Sequence, residues 1–238
     1  MNVIIKETEH DFDTALAWEL IAQILKKPDS VIGLSTGNTT ANMFNLVSEI
    51  YERYPFDTSK ITIFNVDELS NIERENFHAC YTRVWSPLGK HIGIRPEQFI
   101  MPRSLGVDYD EEAQKWLAEI NARGQVDLQI LGLGWNGHVG INQPGTPFDQ
   151  SAHNAPLDER LDERLTKQTG RKLGGMTLGI ADIMRSKRVL MVAKGKEKAG
   201  IVHRTVKGRV SADIPASVFQ LHPDFDILLD REAAAELL

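Results

Sequence analysis

His138 is the residue of this sequence that reads most plainly as a reagent. It lies in QILGLGWNGHVGINQPGTPF, residues 129–148, among Gly132, Gly134, Gly137, Gly140 and Gly145 and the amides Asn136, Asn142 and Gln143. An imidazole can take up and hand over a proton near neutral pH, and amides and free backbone N–H groups can hold a polar ligand beside it. Glycines let the backbone turn tightly and approach that ligand. A long glycine-rich loop around a satisfied histidine is the plainer alternative. The apolar run Ile130, Leu131, Leu133 in front favours a site, because open α/β sheets bind ligands at the C-terminal ends of buried strands.

Three further junctions repeat that arrangement. Val31–Leu34 is a brief apolar run that leads into Ser35-Thr36-Gly37-Asn38-Thr39-Thr40 and then a helical pattern. Hydroxyls and a glycine between a strand and a helix point donors and a helix N-terminus at an anion such as phosphate, or else form an ordinary turn with a Thr cap. The run 61–66 ends on Asp67-Glu68, where one acid can cap the next segment while the other faces a cleft. Val189–Ala193 is followed by Lys194-Gly195-Lys196-Glu197-Lys198, lysines placed for an anion although surface lysines are common.

The elements that must position these groups alternate along the chain. A strand is expected over 3–5. A helix from an Asp11 cap to just before Pro28 carries Phe12, Leu16, Leu20 and Ile24 at helical spacing. A second helix places Phe44, Val47, Tyr51 and Tyr54 on one face, and a third spans about 77–88 with a break near Pro87. Strands follow at 99–101, 126–133, 176–180, 189–193 and 226–229, with a helix opened by Asp108 and stopped by Gly124. The doubled tetrapeptide DERLDERL at 158–165 puts Arg160 and Arg164 on one helix face, and a short helix closes the chain. Without repeats or linkers, the alternation implies one domain, 1–238, with a mostly parallel sheet covered on both faces.

Composition narrows the class. The chain has 238 residues, 42% hydrophobic and 25% charged, ordinary for a globular enzyme. A net charge of −6 argues against a general nucleic-acid footprint while leaving room for a local basic pocket. Cys80 is the one cysteine, so no intramolecular disulfide and no cysteine zinc site are expected. The opening residues lack an export signal and no run approaches a membrane span, which points to the cytoplasm.

Together, LSTGNTT at 34–40, NVDE at 65–68, LGLGWNGHVGINQPGTPF at 131–148, and MTLG, GKEKA and IPAS with a later His resemble the glucosamine-6-phosphate deaminase family. The related galactosamine-6-phosphate isomerases share these segments. The resemblance implies a modified doubly wound, Rossmann-like sheet of the type found in ribose-5-phosphate isomerases and coenzyme A transferases. It implies conversion of an amino-sugar 6-phosphate to a ketose phosphate and ammonia, without metal or cofactor. The partner is then a small sugar phosphate, with neither nucleic acid nor membrane involved, in a monomer or homo-oligomer. By the same resemblance Asp67 moves a proton from C2 to C1, and His138, with Asn136 and Gln143, opens the sugar ring. Ser35, Thr36, Gly37, Asn38, Thr39, Gly137 and Lys198 hold the substrate and its phosphate, with a further basic ligand at Lys167 or Arg164.

Two positions depart from the family pattern. Asn38 replaces a second glycine, which Asn tolerates because it accepts positive φ. Gln143 replaces the glutamate that partners the histidine, keeping a hydrogen bond to the ring but bringing no charge, so ring opening is expected to slow. A 6-phosphogluconolactonase-like hydrolase and a sugar-phosphate-binding paralogue without turnover are the competing expectations.

Overall fold

The computed structural model describes residues 1–238. Its strands are β1 (Asn2–Lys6), β2 (Val31–Leu34), β3 (Thr62–Asn65), β4 (Asp67–Ser70) and β5 (Phe99–Ile100). They continue with β6 (Leu128–Gly132), β7 (His153–Ala155), β8 (Gly174–Thr177), β9 (Val189–Ala193) and β10 (Phe225–Asp230). Seven of them form one sheet in the order β1-β10-β9-β6-β2-β3-β5, and every pairing in it is parallel. Strands β4, β8 and β7 make a small antiparallel sheet.

The helices are α1 (Glu9–Lys26), α2 (Ala41–Arg53), α3 (Cys80–Val84), α4 (Tyr109–Ala122), α5 (Glu159–Thr169), α6 (Ile180–Ile183) and α7 (Ala199–Lys207). Alternate strand residues divide between two cores, which is why the strands read as unbroken apolar runs. Ile32, Ile63, Ile130 and Val192 pack with α1 and α2. Val31, Phe64, Leu131 and Met191 pack on the other face with α4 and α7. Phe12, Leu16, Leu20 and Ile24 of α1 are completely buried, and each such side chain contributes about 1.5–3 kcal/mol.

Several local expectations need correction. Helix α1 starts earlier than Asp11, because Thr8 is its cap: Thr8 Oγ1 accepts from the Asp11 amide at 3.1 Å. Tyr54 follows α2 and is exposed. The 77–88 helix is shorter and mixed, α3 running into a single π-turn, Trp85–Gly89, around Pro87. Residues 61–66 do not form one strand into a loop: the chain leaves the large sheet after β3 and enters the small one with β4. The strand near 176–180 is β8, also in the small sheet, and the last residues form turns rather than a helix. No helix is long and apolar enough to cross a membrane.

From β2 the chain builds outward through β3 to β5, and from β6 it builds the other way through β9 and β10. The two halves part between β2 and β6, leaving a crevice at the strand ends. The four junctions singled out in the sequence open there.

Candidate active site

The crevice holds a main chamber of about 580 Å³. The 35–40 loop, Asp67, His138, Arg164 and Lys198 all line it. A side chamber of about 160 Å³ continues past Asp67 and His138, with Gln143 in its wall.

The loop after β2 is open to an anion. The backbone N–H groups of Thr36, Gly37, Asn38 and Thr39 make no hydrogen bond within the chain, and they precede the N-terminus of α2. Thr40 does not cap α2 with its side chain; its hydroxyl donates to the Ser35 carbonyl at 2.7 Å and tightens the turn. Ser35 is buried, and its Oγ accepts from the Gly132 amide at 2.9 Å, tying the loops after β2 and β6 together. Asn38 does not adopt positive φ; among non-glycine residues only Asn71 does. The missing glycine therefore has no conformational consequence.

Opposite, the half-buried Lys198 donates from Nζ to the Leu133 carbonyl at 2.8 Å. Burial pulls its pKa below the ordinary lysine value. Arg164, on α5, lines both chambers. Lys167, on the same helix, is exposed and outside both, so of the two basic candidates only Arg164 reaches the cleft. Gly137 is also outside both: its φ is +89°, and a Cβ there would meet Ile214 at 2.6 Å, so it seats the loop on the core.

Asp67 and Glu68 divide their work as neighbours in a strand do, pointing opposite ways. Asp67 faces the cleft. Burial pushes its carboxyl up to about 6, against Arg83 and a 2.8 Å hydrogen bond from Asn65 Nδ2. Glu68 is buried and accepts from the amides of Leu69, Cys80 and Tyr81 at 2.7, 2.7 and 2.8 Å. It thus caps α3 from a different strand, although burial pushes its carboxyl up to about 7.

His138 is held differently from expectation. Its ring partner is Asn136, whose Oδ1 lies 2.7 Å from Nδ1 and also accepts the His138 amide at 3.1 Å. A backbone N–H only donates, so that atom is the amide oxygen and Nδ1 must carry the proton. The lone pair is left on Nε2. Gln143 does not touch the ring; its Oε1 accepts from Asn136 Nδ2 at 3.1 Å. The histidine is thus fixed by two neutral amides in series. Burial lowers its pKa, opposed by Asp158 and helped by Lys198, so the neutral ring is favoured. Gly134 passes flat under the ring, where any Cβ would collide with it.

Four cleft residues carried no clear sequence signal. Arg83 lies on α3 and borders both chambers, as does Asp158, the cap of α5. Trp135 is exposed at the mouth, with the Arg160 guanidinium 4.0 Å above its ring. The shared face of Arg160 and Arg164 was readable from DERLDERL; that this face meets the cleft was not. No group of three or more His, Cys, Asp or Glu is arranged to hold a metal ion.

An open parallel sheet with a donor loop, a desolvated carboxylate and a neutral imidazole at its switch point defines a class of α/β protein that binds small polar ligands for proton-transfer chemistry. A family model described as glucosamine-6-phosphate isomerases/6-phosphogluconolactonase matches residues 6–226, and the chain belongs to that family. A glucosamine-6-phosphate deaminase of Clostridium botulinum is 32% identical, the match covering 100% of this chain and 99% of that one. One from Thermoanaerobacter pseudethanolicus is 34% identical over 99% and 94%. A solved monomeric glucosamine-6-phosphate deaminase superposes with a TM-score of 0.93 at 30% identity, covering 99% of this chain and 100% of that one. The 6-phosphogluconolactonase from Trypanosoma cruzi shares the fold, with a TM-score of 0.81 at 17% identity over 99% and 96%.

Proposed function

We propose that this protein is an amino-sugar-6-phosphate deaminase/isomerase, converting glucosamine 6-phosphate or its galactosamine epimer to the ketose 6-phosphate and ammonia. The observation that carries the reading is the meeting, in one cleft, of unbonded amides, Lys198, a carboxyl raised to about 6 and an imidazole with Nε2 free. The phosphate takes the 36–39 amides, Lys198 and Arg164. His138 Nε2 accepts the proton of the anomeric hydroxyl and delivers it to the ring oxygen, opening the sugar. Asp67 takes the C2 proton and returns it to C1, leaving an imine at C2. Water adds to that carbon and the C–N bond breaks, giving ketose and ammonia. The reaction joins an isomerisation to a hydrolytic loss of nitrogen, in the catabolism of amino sugars in the cytoplasm, by a monomer or homo-oligomer.

A panel of sugar phosphates, scored for both ammonia and ketose phosphate, tests the reading. Release of both from an amino-sugar 6-phosphate, in equal amounts, is the expected result. Hydrolysis of 6-phosphogluconolactone without ammonia would move the protein to the lactonase side of its family. Tight binding of sugar phosphates with no product would make it a binding protein.

A further inference from the structure

The reaction above releases ammonia, a single heavy atom, yet the cleft continues past Asp67 into a side chamber of about 160 Å³. A void of roughly 150 Å³ among aliphatic side chains is enough to admit benzene. One wall is aliphatic: Leu69, Ile141, Leu157 and Leu165 belong to a third apolar cluster, between the small sheet and α5. The rest of the lining is polar, with Arg83, Arg164, His78 and Gln143 beside the carboxyls of Asp67 and Asp158. Arg83 makes no ion pair within 4.0 Å, although it is near enough to Asp67 to oppose the rise of that carboxyl.

The position of the chamber decides what part of a substrate enters it. Lys198 and Gly37, Asn38 and Thr39 border only the main chamber, whereas Asp67 and His138 border both. A sugar anchored by its phosphate in the main chamber brings its C1–C2 end to Asp67, and a substituent on the C2 nitrogen continues beyond it. A pocket with one aliphatic wall and the Arg83 guanidinium in its lining fits a short aliphatic chain that bears a carboxylate. We propose that the protein acts on amino-sugar 6-phosphates whose nitrogen is shared with an α-amino acid. This rests on the deaminase/isomerase reading. Asp67 moves the C2 proton to C1, and C2 and nitrogen become C=N. Water adds to C2, the C–N bond breaks with its electron pair going to nitrogen, and nitrogen takes a proton. The products are ketose 6-phosphate and the free amino acid, with water the one co-reactant.

The test compares glucosamine 6-phosphate with the conjugate whose nitrogen is that of leucine, reading ketose phosphate and free leucine by mass spectrometry. The conjugate should show kcat/KM higher by about tenfold, the worth of one charge-assisted hydrogen bond. Arg83→Gln should erase most of that ratio, and Arg83→Lys should restore part of it. Calorimetry with the two corresponding glucitol 6-phosphates, which cannot react, gives a second reading, with tighter binding expected for the substituted one. Equal or weaker binding of the substituted glucitol overturns the proposal. So does an equal loss for both sugars in Arg83→Gln, which would assign Arg83 to the shared phosphate. Tighter binding without turnover of either sugar would remove the deaminase/isomerase reading while leaving the chamber its ligand.

Discussion

At the scale of single residues, the chemistry turns on which groups are neutral. Asp67 must be ionised to take a proton from carbon, and its carboxyl is raised to about 6 by burial. The kcat/KM of the free enzyme should therefore rise with pH through about 6 and level off above it. Burial lowers the pKa of His138, which favours the neutral ring that accepts the proton. Asp67→Asn should keep ligand binding and lose exchange of the C2 proton with solvent; exchange at the unmodified rate would exclude Asp67 as the base. The amide pair behind His138 makes a graded prediction. Asn136→Asp puts a negative charge directly on Nδ1–H, whereas Gln143→Glu puts it one residue further away. Both should raise the imidazole pKa and speed ring opening, the first more than the second, as NMR titration of His138 and the forward kcat would show. The sequence marked Asp67, His138, Asn136 and Gln143 as candidates, their roles implied by the family resemblance. It did not reveal that Asn136 stands between Gln143 and the ring, because that order depends on how Gly137 seats the loop on Ile214.

At the scale of elements, two helix N-termini are set up in opposite ways. The N-terminus of α2 leaves the loop amides free for a ligand, while that of α3 is closed by Glu68. Lys198→Ala, removing the cation facing the first, should weaken substrate binding by about 1.5–3 kcal/mol. Unchanged affinity for a competing sugar phosphate would place the phosphate elsewhere. Glu68→Ala would strand three amides in a buried setting. It should cost about 3 kcal/mol or more and lower Tm by roughly 6–12 °C, measurable by calorimetry. Glu68→Gln keeps an acceptor oxygen and should cost less. The acids at 67–68 announced a cap and a cleft residue, but the capped helix begins twelve residues later and Ala79, at its own cap position, gives no hint of its partner. Arg83 was hidden for the same reason: a five-residue helix carries too little periodicity to reveal its face.

At the scale of the molecule, the strand order sends successive connections away from the gap between β2 and β6, so the loops that must meet do so without any long excursion. Burial on both faces made most of the large sheet legible in advance as apolar runs. The small sheet was not, since β4, β7 and β8 are short, and β7 and β8 carry Gly, Asn and His between few apolar residues. What the sequence carries least well is the side chamber, whose walls come from β4, α3 and the residues before it, the 134–145 loop, the segment before α5, and α5 itself.

The neutral relay also has a chemical lifetime. Asn136 precedes Gly137, and an asparagine followed by glycine is readily attacked at its side-chain carbon by the next backbone nitrogen, losing ammonia to form a cyclic imide that water opens to aspartate or, more often, isoaspartate. In the folded protein that nitrogen donates to the Gly134 carbonyl at 3.0 Å, and the asparagine side chain is tied down by His138 and Gln143. The native loop is thus its own preservative. Warm storage near the unfolding temperature should release the brake and convert Asn136 to a carboxylate, detectable by peptide mass mapping, while cold-stored protein keeps the amide. Aged samples would then carry a charged partner for the histidine in their aspartate fraction, which should behave as Asn136→Asp, while the isoaspartate fraction, with an extra carbon in its backbone, should lose the ring's hydrogen bond.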